Sequence, residues 1–378
     1  MGFFEEGVVL LSIGVIGIVG NAISIPYFIS LLRRQNTFYT LLTCLSVCDL
    51  IVVITGMLLY GLDKVSDVYY CHTYFIAAPY VLPTFEIGST GSIYFTMAVC
   101  IERYFVVCRP FWYHERAIPS RRYTIPIICF SVLYNIPRFF EVRTVIINGK
   151  YNNETVFNES GCAQTLGQFN EVNDAVESNM TMFEYTVEPT ELRQNVIYYG
   201  VYHIGCAIIF QFLAPLFLLV IANLMIINQL LKDSHRQSSI SNQDGFNRST
   251  NLTRLGPLNR QTTSPSLATN VESVPGPVYF SNQSSRQRRQ RTQVDRAKVT
   301  LAICGVFIFC HLFKWILNIY ELYVHFSTRN LSEEETEDKF SELQSNWFGT
   351  VVNISNTLVV LNSSINFYVY VLKVCWTK

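Results

Sequence analysis

CHTYFIAAPYVLPTFEIGSTGSIYFTMAVCIERYFVVCRP, residues Cys71 to Pro110, decides how the rest of the chain is read. The stretch runs through mostly apolar residues to Ile101, then meets Glu102-Arg103-Tyr104 and Val107-Cys108-Arg109-Pro110. An apolar run of about 20 residues at helical rise is long enough to cross a bilayer. Charges at its end are therefore expected at a membrane face, where water is available. Taken alone, Glu-Arg-Tyr equally describes a solvated pair on a soluble helix. The remaining sequence must show whether this is the third of seven spans.

The composition favours the membrane. The chain has 378 residues, of which 50% are hydrophobic, 14% aromatic and only 15% charged, with a mean hydropathy of +0.25. Soluble domains carry about 25% charged residues. The opening MGFFEEGVV has no basic region and no small-residue cleavage site, so the first apolar run is expected to stay as an uncleaved anchor. The Met-Gly start lacks the Ser or Thr of a myristoylation motif.

Seven apolar runs follow in order, at about 7–32, 38–62, 72–105, 122–140, 196–231, 297–326 and 347–372. None repeats another in the manner of transporter repeats. Arg33 and Arg34 follow the first run, Arg109, Arg116, Arg121 and Arg122 join the third to the fourth, and a basic cluster from Arg286 to Lys298 precedes the sixth. The positive-inside rule makes these segments cytoplasmic and puts the amino terminus outside. The expected fold is an all-α membrane protein, a seven-transmembrane helix bundle. Its parts are an extracellular tail at 1–6, helices one to five at 7–231, a cytoplasmic loop at 232–296, helices six and seven at 297–372 and a short cytoplasmic tail at 373–378. The 232–296 segment is rich in Ser, Asn, Gln, Gly and Pro, and it is expected to be disordered because it cannot bury enough apolar surface.

The outer segments are acidic. Eight acids from Glu154 to Glu191 lie between runs four and five, and six from Glu333 to Glu342 between runs six and seven. The same segments carry Asn153-Glu-Thr, Asn158-Glu-Ser, Asn179-Met-Thr and Asn330-Leu-Ser, which are glycosylation acceptors only on the outer side. Cys71 and Cys162 are the two cysteines expected in that oxidising compartment and so are expected to pair. Cysteines within the runs are simplest as packing residues.

Ionisable groups inside spans are costly and tend to be functional. Asp49 is the clearest, with Asn21, Ser92, Asn362, Ser363 and Asn366 at comparable depth. A carboxylate among hydroxyl and amide oxygens suits a monovalent cation or a proton-linked switch. A hydrogen-bonded packing cluster without an ion is the competing reading. No HExxH, nucleophile elbow, phosphate-cradling glycine loop or CxxC pair occurs, so no enzyme is expected. His203 and His311 lack evident co-ligands and read as core residues.

Asn21, Asp49, Glu102-Arg103-Tyr104, Pro215, Phe307-Ile-Phe-Cys310 and Asn366-Phe-Tyr-Val-Tyr370 come in helix order and together resemble the rhodopsin-type (class A) G-protein-coupled receptors. Within that superfamily LYNIPRFFE (Leu133 to Glu141), CHLFKWILNIYEL (Cys310 to Leu322) and LNSSINFYVY (Leu361 to Tyr370) resemble the FMRFamide-receptor-like neuropeptide receptors. The resemblance implies a multi-pass plasma-membrane receptor that couples a short amidated peptide to heterotrimeric G-protein activation. Its partners would be that peptide, the G protein and membrane lipid, with no nucleic acid. Glu102, Arg103, Tyr104, Asn366 and Tyr370 would form the G-protein switch, and Asp49 would hold sodium with Asn21, Ser92, Asn362 and Asn366. No other cofactor is implied.

An Arg-Phe-amide ending calls for a carboxylate and an aromatic pocket. Glu86, Glu141 and Glu321 are the acids placed for it, with Phe85, Tyr198, Tyr202, His311 and Tyr320 as walls. Each glutamate has a plainer reading, as a partner of Arg138 or Lys314. The chain departs from the superfamily pattern at Phe367 for the proline of NPxxY, Phe313 for the sixth-helix proline, His311 for the switch tryptophan and Asn223 for the fifth-helix tyrosine. It stops at Lys378, short of an amphipathic eighth helix, so either the sequence is part of a longer one or coupling lacks that element. A transporter or channel would want repeats or a charged lining. Among non-peptide receptors, an amine receptor would want an acid where Phe85 stands, and an opsin would want a seventh-helix lysine before Lys373.

Overall fold

The computed structural model describes residues 3–32, 37–115, 119–150, 181–232, 298, 300–320, 323 and 346–376. Seven long helices run in the expected order: α1 Phe3–Leu32, α2 Thr37–Tyr60, α3 Phe75–Cys108, α4 Arg121–Asn135, α5 Tyr198–Lys232, α6 Thr300–Tyr320 and α7 Asn346–Trp376. The first six, with their short extensions, are long and apolar enough to cross a bilayer. The 31-residue α7 is long enough too, but amides and hydroxyls from Asn353 to Asn366 dilute its apolar character. Segment 233–297, Cys162, Glu321 and the acceptors Asn153, Asn158, Asn179 and Asn330 lie outside the described residues.

A helix satisfies its own backbone groups, which is what a bilayer demands of a spanning segment. The outward faces are apolar, with Val15, Ile16, Val19 and Ile23 exposed on α1 and Phe217, Ile221 and Leu224 on α5. The inward faces form three clusters of buried side chains. Phe28, Leu41, Leu45, Phe95 and Val99 fill the first, and Ile93, Leu219, Cys304, Phe307 and Trp315 the second. Val52, Leu59, Phe85 and Val359 make up the third.

Helix α2 packs on α1 and α3, and α7 closes on α1 and α2. Small residues on α1 make that closure possible. A Cβ at Gly17 would collide with the Ser364 side chain, and one at Gly20 would meet Phe367 at 3.0 Å. Phe367, standing where a proline is usual in the superfamily, thus packs on a glycine, and α7 runs unbroken through it. Helix α6 is likewise continuous through Phe313. In α5, π-helical turns at Tyr198–Cys206 and Ile208–Leu213 precede Pro215. A proline offers no N–H to the turn before it, and a widened turn is one way to accommodate that loss.

Two boundaries and one loop differ from the sequence reading. Helix α1 already begins at Phe3, inside the expected 1–6 tail. Glu6 explains this: its Oε2 accepts from Lys64 Nζ at 3.2 Å and from Asn353 Nδ2 at 2.8 Å, so α1 is pinned to the outer ends of α2 and α7. Helix α7 continues to Trp376, into the expected 373–378 tail. The acidic loop after α4 holds an antiparallel ribbon, β1 Val142–Lys150 with β2 Thr181–Pro189, in a register pairing Val142 with Pro189 and Lys150 with Thr181. Among the described residues the bundle is therefore helical with one β ribbon added. Thr144 Oγ1 donates to Phe75 O at 2.7 Å, and Thr190 N donates to Glu141 O at 2.9 Å, which fixes the ribbon to the outer ends of α3 and α4.

Candidate functional site

At the inner end of α3, Glu102 and Arg103 form an ion pair of 2.5 Å, and both residues are 1% exposed. This corrects the expectation of charges standing in water. The Arg103 guanidinium lies 3.8 Å over the Phe38 ring of α2, a cation–π contact. Glu102 Oε1 accepts from the Tyr113 hydroxyl at 3.0 Å, from the short helix Pro110–Glu115. Burial, then the Glu102 charge, pushes the Tyr113 phenol well above its ordinary range, so it stays a donor. The pair is thus neutralised and roofed, which is how a buried charge is tolerated. Tyr104 is half-buried against the second cluster, and Tyr370 lies in α7 with its side chain outside the described residues.

Midway along the bundle, Asp49 is fully buried. Its Oδ1 accepts from Ser92 Oγ at 2.7 Å and its Oδ2 from Asn366 Nδ2 at 2.8 Å, joining α2, α3 and α7. Asn21 is in the same layer but donates to Gly17 O and Ser363 O rather than to the carboxylate. Asn362 is buried in the same layer but its side chain does not bond Asp49, so two of the four expected partners reach the carboxylate directly. The amide oxygens of Asn21, Asn362 and Asn366 are buried and have no donor among the described residues. One carboxylate with several neutral oxygens fits a hard monovalent cation. No cluster of three or more His, Cys, Asp or Glu occurs among the described residues.

At the outer end, a cleft of about 170 Å³ is lined by Leu82, Pro83, Glu86, Arg138, Glu141, Val142, Arg193 and His203. Two of the expected carboxylates meet there, and neither is bare. Glu86 Oε1 pairs with Lys314 Nζ of α6 at 3.3 Å. Glu141 Oε1 accepts from the Tyr198 hydroxyl at 2.9 Å and faces His203 Nδ1 at 3.0 Å, while Arg193 Nη1 stands 3.8 Å from Oε2. Burial alone would raise the Glu141 carboxyl. The hydrogen bond and charge of His203, then Arg138 and Tyr198, outweigh burial and hold the carboxyl below its usual value.

The expected aromatic walls divide. Tyr198, which donates to Glu141, stacks on Tyr202 at 5.0 Å, and the Tyr202 hydroxyl donates to Tyr134 O. Tyr320 pairs with Phe348 across α6 and α7 at 5.9 Å. Phe85 instead turns toward Tyr60 and the third cluster, and it is 1% exposed. His311 is 2% exposed in a ladder with Phe307 at 4.4 Å and Trp315 at 5.8 Å, so it is a core residue rather than a wall. Phe85 and His311 are corrected for the same reason: the rotation of their helices aims them inward.

Trp315, stacked 4.1 Å from Phe212 of α5, was missed in the sequence, although Phe307, His311 and Trp315 at four-residue spacing mark one helical face. Arg193 was missed too, since nothing local distinguishes it. Asn223, at the usual tyrosine position, accepts from Cys100 Sγ at 3.3 Å, and Cys100 also meets Cys304 at 3.6 Å. The bond thereby ties α3 to α5 and α6. Cys71 is disulfide-bonded, and Cys162 lies outside the described residues.

A seven-helix membrane bundle with a buried acid at mid-depth, a capped Glu-Arg pair at one end and a polar cleft at the other has the architecture of a transmembrane receptor. The sequence profile described as "7 transmembrane receptor (rhodopsin family)" matches residues 20–370, and the chain belongs to that family. It is 25% identical over 380 aligned positions to an FMRFamide receptor of Drosophila melanogaster, covering 98% of this chain and 52% of that protein. Over 147 positions it is 31% identical to an FMRFamide peptide receptor of Caenorhabditis elegans, covering 36% of this chain and 33% of that protein. The chain spans about half the length of the first of these and a third of the second.

Proposed function

We propose that the chain is a receptor for a short amidated neuropeptide of the FMRFamide type and signals through heterotrimeric G proteins. The observation that carries this reading is the cleft shared by Glu86, Arg138, Glu141, Arg193 and His203, at the opposite end of the bundle from the Glu102–Arg103 pair. A peptide with basic, aromatic and amide groups finds there carboxylate partners and donors, with Tyr198 bonded to Glu141 beside them. Glu141 takes the peptide's basic side chain, because its Arg193 partner is distant at 3.8 Å and partly exposed.

At the inner end, Arg103 leaves Glu102 on activation and donates to the G protein, the kind of two-state element that a ligand biases through differential affinity. Asp49, with Ser92 and Asn366, holds a sodium ion in the resting state. The ion supplies a positive charge to the buried carboxylate, while the side chains set which helix arrangement it fits. The family is one of receptors, and the chain is read as a non-enzyme. Cells expressing it with a calcium or cAMP reporter should respond to one or more members of an amidated-peptide library. Silence across the library, with the chain at the surface, would remove this reading.

A further inference from the structure

Two polar atoms in the outer cleft have no hydrogen-bond partner among the described residues although they are buried: Glu86 Oε2 and Arg138 Nε. One accepts and the other donates. Both residues line the same cleft of about 170 Å³, and Glu86 has given its other oxygen to Lys314 rather than pairing with Arg138. A buried acceptor and donor left unsatisfied carry a desolvation penalty that an occupant supplying both partners relieves.

The required occupant has an N–H donor and a C=O acceptor at one end, no net charge there, and little bulk. An ammonium or guanidinium only donates and would face Arg138 with like charge. A carboxylate only accepts and would face Glu86 with like charge. A mid-chain peptide group has both functions, but it points them to opposite sides of the strand. A primary carboxamide presents both on one small planar head.

We propose that Glu86 and Arg138 form a subsite that reads the carboxy-terminal carboxamide of the peptide. The amide N–H donates to Glu86 Oε2, and the amide oxygen accepts from Arg138 Nε. The inference rests on the reading of the chain as a peptide receptor. It assigns amidation itself to one pair of side chains, with Lys314 acting as a positioning residue that holds Glu86 by its other oxygen. Discrimination against the free acid then comes from repulsion at Glu86, since a site built to bond a polar group rejects the analogue that leaves its own atoms unpaired.

The test uses Phe-Met-Arg-Phe-amide and its free acid on cells expressing the full chain, with surface delivery measured on the same cells. Wild type should prefer the amide at least 30-fold. Glu86→Gln should cut that ratio at least tenfold, mainly by admitting the acid. Arg138→Gln should weaken both forms and should not lower the ratio, because the acid loses its one favourable contact. These opposite signs keep the test decisive if one variant fails to reach the surface. Equal potency of amide and acid on wild type overturns the subsite and leaves the receptor reading standing. An unchanged ratio in Glu86→Gln, or a fall in Arg138→Gln, overturns the subsite as well. No response to either form counts against the receptor reading and takes the subsite with it.

Discussion

The Tyr113 hydroxyl donates to Glu102 Oε1 at 3.0 Å while the same carboxylate holds Arg103 at 2.5 Å. A tyrosine from the short inner helix thus completes the shell of the acid that restrains the arginine. Tyr113→Phe removes one hydrogen bond to a buried charge, a loss of about 1.5 kcal/mol, and should raise the active population roughly tenfold. Ligand-free signalling normalised to surface expression reads this out. Basal activity equal to wild type would show that Tyr113 only packs there.

Arg103→Ala should abolish signalling while surface expression and peptide binding stay close to wild type. The substitution leaves Glu102 buried beside Tyr113 without its cation, so some loss of stability is expected as well. Peptide binding by the mutant separates the two effects. Normal G-protein activation from it would refute the switch.

Sodium should weaken agonist affinity in the wild type and have no such effect in Asp49→Asn. The amide keeps the volume and removes the charge, so only the cation's differential affinity for the resting bundle is lost. Competition binding in sodium against N-methylglucamine measures it. The same sodium response in both proteins would leave the Asp49 layer as hydrogen-bonded packing.

Glu141→Gln should cost an arginine-bearing peptide on the order of 1.5–3 kcal/mol in affinity and a citrulline analogue much less, because citrulline has no charge to lose. Competition binding of the two peptides provides the comparison. Equal losses would place the arginine elsewhere in the outer segments.

Gly17→Ala should destabilise the bundle by about 1–3 kcal/mol, the usual penalty of forcing a methyl into a packed contact. Its Cβ would strike Ser364, whose hydroxyl already donates to Val360 O at 2.8 Å. Thermal unfolding in detergent should show a lower midpoint, and pairing the mutation with Ser364→Gly should restore part of it. No recovery would mean the strain lies elsewhere.

By itself the sequence determined the number and order of the helices and a polar layer around Asp49, in which Ser92 and Asn366, of the four expected neighbours, bond the carboxylate. Those properties follow from apolar length and from the rarity of ionisable groups within spans, both of which are local. What only the tertiary structure decided is where each helix points. A helix that is apolar on every side gives a weak signal of its rotation, so Phe85 and His311 could be placed at the right depth and still be aimed the wrong way.

Their direction is set by contacts far apart in sequence. Gly17 and Gly20 admit Ser364 and Phe367, Glu6 is held by Lys64 and Asn353, and Lys314 meets Glu86. The ribbon is decided in the same way, since its strands lie 30 residues apart at their nearest and pair only once α3 and α4 give Thr144 and Thr190 their anchors. Burial of Glu102 and Arg103 belongs with these. A charge at the end of an apolar run stands in water unless neighbouring elements cover it, and Phe38 and Tyr113 arrive from two of them.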